Sequence, residues 1–81
     1  MEPLNPYGQT RALRYMQSLG LAAGDFAPTQ VAAGAGLGVS AERAGQLYRQ
    51  LASKGYLEKR GAKYLIVTYG SLEKNNEDRH V

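Results

Sequence analysis

The chain has no cysteine and no tryptophan, a single phenylalanine, Phe26, and a single histidine, His80. The missing cysteine excludes disulfides, thiolate metal sites and a thiol nucleophile, and it suits a reducing compartment. A lone histidine in a polar tail speaks against a histidine-based metal site or catalytic base. No serine has a histidine near it in sequence, and the carboxylates are scattered. The glycine-rich run Gly34-Ala35-Gly36-Leu37-Gly38 lacks the spacing of a dinucleotide loop, and no strand precedes it. No apolar run approaches the ~20 residues of a membrane span. Met1 to Pro6 lacks the basic-then-apolar pattern of a secretory signal. The expectation is a cytoplasmic protein that is not an enzyme, with no metal, no cofactor and no evident small-molecule ligand.

With 81 residues there is room for one core. A folded domain is expected over 1–70 and a polar tail over 71–81, where only Leu72 and Val81 are apolar. The net charge of +3 is modest, but it is unevenly placed. Between residues 43 and 63 stand Arg43, Arg49, Lys54, Lys59, Arg60 and Lys63 against Glu58 alone. From Tyr69 onward, Lys74 and Arg79 face Glu73, Glu77 and Asp78. A polyanion is the natural partner of such a basic segment, and a solvated surface is the plain alternative.

Local signals divide the chain. Asn5-Pro6 reads as the cap and first position of a helix carrying Ala12, Leu13, Met16 and Leu19 on one side and ending at Gly20. Gly8 weakens the first turn, so the start can fall nearer Thr10. Leu21 to Ala27 is a connector, in which Gly24 and Asp25 form a turn and Phe26 is expected to plug the core. A second helix of small residues is expected from Pro28 to about Leu37. Gly38 breaks it and Ser40 caps a third helix, Ala41 to Lys54. There Ala44, Leu47, Tyr48 and Leu51 form a buried stripe at i, i+3, i+4 and i+7. Gly55 stops that helix. Two strands, Tyr56–Lys59 and Lys63–Thr68, then flank a turn at Arg60-Gly61. Alternation puts Tyr64 and Ile66 on one face and Leu65 and Val67 on the other. Tyr48, Tyr56 and Tyr64 are the tyrosines expected inside.

The spacing inside Gln30 to Arg49 is more specific. Ala33 and Gly34 are small where two helices must touch, and Gly38 follows Gly34 by four residues in a tight turn. Leu37 and Val39 are apolar on either side of that turn. Ser40 caps, and Ala44 and Leu47 return to the core. These residues resemble the helix-turn-helix superfamily, with glycine at position 34 where alanine is more usual. The continuation Leu51-Ala52-Ser53-Lys54-Gly55-Tyr56-Leu57, a basic turn, then Tyr64-Leu65-Ile66-Val67, resembles its winged subclass. The resemblance spans Phe26 to Thr68. It implies a mainly α fold with a small β-hairpin, a three-helix winged helix-turn-helix.

The resemblance implies a sequence-specific regulator of double-stranded DNA, most simply a repressor acting as a homodimer. A helix fits the major groove, where glutamine can pair with adenine, arginine with guanine, and glutamate can accept from cytosine. Ser40, Glu42, Arg43, Gln46, Arg49 and Gln50 lie on or beside the outward side of the third helix. Gln30 stands near a helix start, which favours phosphate. Lys59, Arg60 and Lys63 would bring the wing to the backbone. Gly45 either lets DNA approach closely or is a packing glycine. Leu65, Val67, Tyr69 and the first helix are candidates for a pairing surface. A module that binds another protein, such as a mobile-element protein acting on host machinery, is the competing class, because one fold hosts both.

Overall fold

The computed structural model describes residues 4–5 and 7–72. The polar tail from Glu73, His80 included, and Pro6 of the expected first cap lie outside the described residues. Three helices and a hairpin follow in order: α1 Gln9–Ser18, α2 Gln30–Leu37, α3 Ala41–Ser53, β1 Leu57–Arg60 and β2 Lys63–Ile66. This is the winged helix-turn-helix architecture.

The helices start and stop for local reasons. Asn5 does not cap α1. Its Oδ1 accepts from the Tyr7 N–H at 2.8 Å, closing an Asx turn one step earlier. Gly8 takes the cap position without a side-chain bond, and a Cβ there would stand 2.7 Å from Leu47 Cδ2. The chain thus trades a capping side chain for close approach of α1 to α3. At the other end, Leu19 lies beyond the last helical residue and is 49% exposed, off the buried stripe. α2 begins at Gln30, not at Pro28, and Thr29 is its cap: its Oγ1 accepts from the Ala32 N–H at 3.1 Å. Ser40 caps α3 in the same way, accepting from the Arg43 N–H at 3.0 Å.

β1 and β2 pair antiparallel with Arg60 opposite Lys63. The connecting loop is therefore Gly61-Ala62, one residue later than expected, because Gly61 takes the positive φ of 62° that a tight two-residue hairpin needs. A short segment before α2 adds to the far side of β2. Gly24 and Ala27 N–H groups donate to the carbonyls of Ile66 (2.7 Å) and Tyr64 (2.8 Å), and Ile66 N–H donates to Asp25 O at 2.8 Å.

This bridging segment overturns the expectation for Phe26. It bridges Leu65, so its side chain shares the outer sheet face with Leu65 and stands 48% exposed. The inner face belongs to Tyr64 and Ile66 by the alternation of a strand. The core gathers Leu13 and Met16 of α1, Leu37 of α2, Leu47, Tyr48 and Leu51 of α3, then Tyr56, Leu57, Tyr64 and Ile66. Tyr48 and Tyr64 meet edge-on, with ring centroids 5.3 Å apart. Tyr69 and Leu72 also belong to this core, and the Tyr69 hydroxyl donates to Leu21 O at 2.7 Å. Packing therefore continues past Gly70, and Tyr69 is withdrawn from any pairing surface.

Candidate nucleic-acid interface

The turn between α2 and α3 is built on two glycines. Gly38 sits at φ 75°, and both its N–H and that of Val39 return to Gly34 O. A Cβ on Gly34 would meet Val39 O at 2.8 Å and Ala41 N at 3.1 Å. The turn is thus tight enough to reject alanine, which explains the glycine at position 34. Arg11 locks the turn from outside, its Nη2 donating to Leu37 O at 3.0 Å, where α2 has unsatisfied carbonyls.

Burial of Ala44, Leu47, Tyr48 and Leu51 fixes what α3 turns outward. Glu42, Gln46, Arg49 and Ser53 form the exposed stripe, as the helical period requires. Ser40 precedes it, exposed but with its hydroxyl already engaged in the cap. Glu42 is the carboxylate of this helix and lies in its first turn, where the helix dipole favours it. Gly45 is buried. The Gln30 amide lies over the position its Cβ would take, with Oε1 at 2.7 Å.

On the α1 side of the stripe lie Arg43, Gln50 and Lys54. Gln50 and Lys54 enter a polar network centred on Gln9, which is only 5% exposed. Gln9 Oε1 accepts from Asn5 N–H at 2.9 Å and from Lys54 Nζ at 2.7 Å. Gln9 Nε2 donates to Gln50 Oε1 at 2.8 Å. Arg43 Nη1 donates to Gln46 Oε1 at 3.1 Å. Gln9 was not among the residues singled out from sequence. A polar residue at a helix start gives no sign that it will be buried against a helix 41 positions later.

On the other side stand the start of α2 and the wing. Gln30 is exposed there. The three wing cations do not act as one set. Lys59 lies opposite Tyr64, whereas Arg60 and Lys63 pair with each other on the opposite face. Arg60 forms an ion pair with Glu58, and Lys63 Nζ sits 5.5 Å from the Phe26 ring centroid. Between wing and α2 runs a groove of about 510 Å³ walled by Phe26, Val31, Tyr48 and Tyr64, with Lys63 as its charged group. Val31 is 72% exposed at its edge.

Burial, and next to it the nearby Tyr15 hydroxyl, pushes the Tyr48 phenol far above the usual tyrosine range. It therefore stays a neutral donor, bonded to Pro28 O at 2.8 Å. That bond ties α3 to the connector that precedes α2. Among the described residues no group of three metal-ligating side chains converges, and no helix is long and apolar enough to cross a membrane.

The described residues carry eight arginines and lysines against three carboxylates, Asp25, Glu42 and Glu58. Two of those carboxylates have assigned local work. Asp25 Oδ2 accepts from Ala22 N–H at 2.8 Å, and Glu58 pairs with Arg60. The arrangement can thus supply N–H donors and positive charge from α3, both of its flanks and the wing. No protein-family model, no curated protein and no solved structure matches the chain.

Proposed function

We propose that the protein is a sequence-specific double-stranded DNA-binding regulator of the winged helix-turn-helix superfamily, a cytoplasmic repressor that works as a homodimer. One observation carries the reading. The exposed stripe of α3 is polar throughout, offers Gln46 and Arg49 at its centre, and is bordered by Arg43 and Lys54. A convex helix of this kind fits the major groove, and cations beside it meet the phosphates. Gln30 and Lys59 extend the contact toward the backbone on the wing side. Pairing of two copies would use the outer sheet face, where Phe26, Leu65 and Val67 are left partly or largely uncovered.

Salt titrations on a cognate and a scrambled duplex test the reading. Gln46→Ala should cost about 1–3 kcal/mol on the cognate site and much less on the scrambled one. Lys59→Ala should weaken both alike and reduce the salt slope by about one unit. If neither change alters affinity for any duplex, DNA is not the partner.

A second reading rests on the exposed apolar side chains Phe26 and Val31 beside the groove. Such a patch suits a protein partner. It gains if Val31→Asp abolishes function while DNA affinity stays unchanged.

A further inference from the structure

The groove between the wing and the start of α2 has walls that are tied in place. Ala27 N–H donates to Tyr64 O at 2.8 Å, and the Tyr48 hydroxyl donates to Pro28 O at 2.8 Å. The Tyr48 and Tyr64 rings pack edge-on against each other. Phe26 is fixed by its bridge to Leu65, and Val31 stands exposed at the rim. The space these residues enclose is about 510 Å³, within the ~300–1,000 Å³ of small-molecule sites. A preformed, largely apolar groove with a few polar groups is what such sites share.

Its charge has one sign. Lys63 is the charged residue of the lining, and its Nζ stands 5.5 Å from the Phe26 ring centroid. A ring face satisfies one side of an ammonium that has three donors. None of the three described carboxylates lines the groove. Asp25 is engaged with Ala22 N–H and Glu58 with Arg60, and Glu42 lies in the first turn of α3. Thr29 and Gln30 add hydrogen-bond donors to the lining. The Tyr48 phenol stays protonated, because burial raises its pKa, and so adds no negative charge. We propose that this groove is a binding site for a small aromatic anion, with its rings among Phe26, Tyr48 and Tyr64 and its acidic group on Lys63. The proposal goes beyond the DNA-binding reading and does not depend on it.

The test uses two fluorescent probes, anilinonaphthalene sulfonate and phenylnaphthylamine, which share their rings and differ in the sulfonate. Titration of the full chain at neutral pH should show one saturable site for the sulfonate, about tenfold tighter than for the neutral probe. Amide chemical shifts should place the bound sulfonate at Phe26, Val31 and Tyr64, and its binding should raise the Tm. Lys63→Met keeps the apolar stem without the charge, and should bring the two affinities together. Should Lys63→Met unfold the chain, Val31→Asp at the exposed rim asks the same question, and should weaken the sulfonate more than the neutral probe. Val67→Ser, on the outer sheet face, should change neither affinity. Equal affinity for the two probes in the parent chain overturns the proposal and leaves the groove as an apolar patch of the kind a protein partner covers. Shifts centred on the outer sheet face or on α3, or sulfonate affinity unchanged in both groove variants, also overturn it. Absence of binding by either probe does the same, and none of these outcomes bears on DNA.

Discussion

The side chain of Gln30, at the start of α2, covers Gly45 in the middle of α3: a Cβ on residue 45 would stand 2.7 Å from Gln30 Oε1. The obstructing atom is the end of a flexible, exposed side chain. Gly34 meets backbone instead, with Val39 O at 2.8 Å from its Cβ position. Two helical glycines therefore have opposite prospects. Gly45→Ala should stabilise by up to about 1 kcal/mol, since alanine is the better helix former and Gln30 can move aside. Gly34→Ala should destabilise by about 1–3 kcal/mol, because the inter-helix turn must open. Thermal or urea denaturation of the two variants checks both signs. In a duplex titration, displacing Gln30 by Gly45→Ala should lower DNA affinity although stability is not lowered.

Stability should be level around neutral pH and fall above about pH 10, the ordinary tyrosine range. The sign follows from Tyr48. Its folded value is raised by burial first and by Tyr15 second. Above the unfolded value the unfolded chain has lost a proton that the native chain keeps. The unfolded state then binds fewer protons, and stability declines as pH rises. Urea midpoints measured from pH 7 to 11 should show this decline, and Tyr48→Phe should reduce it. At neutral pH the same variant should cost about 1 kcal/mol, because Pro28 O loses its donor.

The Glu58–Arg60 ion pair holds back one wing cation. Both side chains are at least half exposed, so removing the pair should change stability by less than about 1 kcal/mol. Glu58→Gln should nevertheless strengthen binding to any duplex several-fold at low salt and steepen the salt dependence by about one unit. A variant with unchanged salt slope would mean that the wing does not reach phosphate.

Dimerisation should depend on the outer sheet face. Val67 is 44% exposed and Phe26 48%, on the side of the sheet away from the core. Val67→Lys should leave the fold intact and shift the protein toward monomer in sedimentation at micromolar concentration. Monomer in the parent chain, both free and on DNA, would remove the dimer from the proposal.

Much of this molecule is written in short-range signals. Gly38 at positive φ, Ser40 as cap and the Ala44-Leu47-Tyr48-Leu51 stripe place the turn and the exposed face of α3, because each acts within one helical turn. The outward set Glu42, Gln46 and Arg49 follows directly. What was misplaced depends on partners distant in the chain. Phe26 looked like a core plug because an isolated large aromatic usually is one, but pairing with Leu65 turned it outward. Leu72 looked like part of a tail, yet it closes the core beside Tyr69.

The linear order of residues, by its periodicity and its glycines, determined three helices, a hairpin and which stripe of α3 meets solvent. Only the tertiary structure decided what state that stripe presents. The Gln9–Gln50 and Gln9–Lys54 bonds span 41 and 45 positions, and the Lys63–Phe26 contact needs the Phe26–Leu65 bridge in place. Local propensity has no term for such pairings, because they form only when packing brings separate elements together. The orientation of an amide, the neutralisation of a cation and the face taken by an aromatic ring are therefore properties of the folded chain.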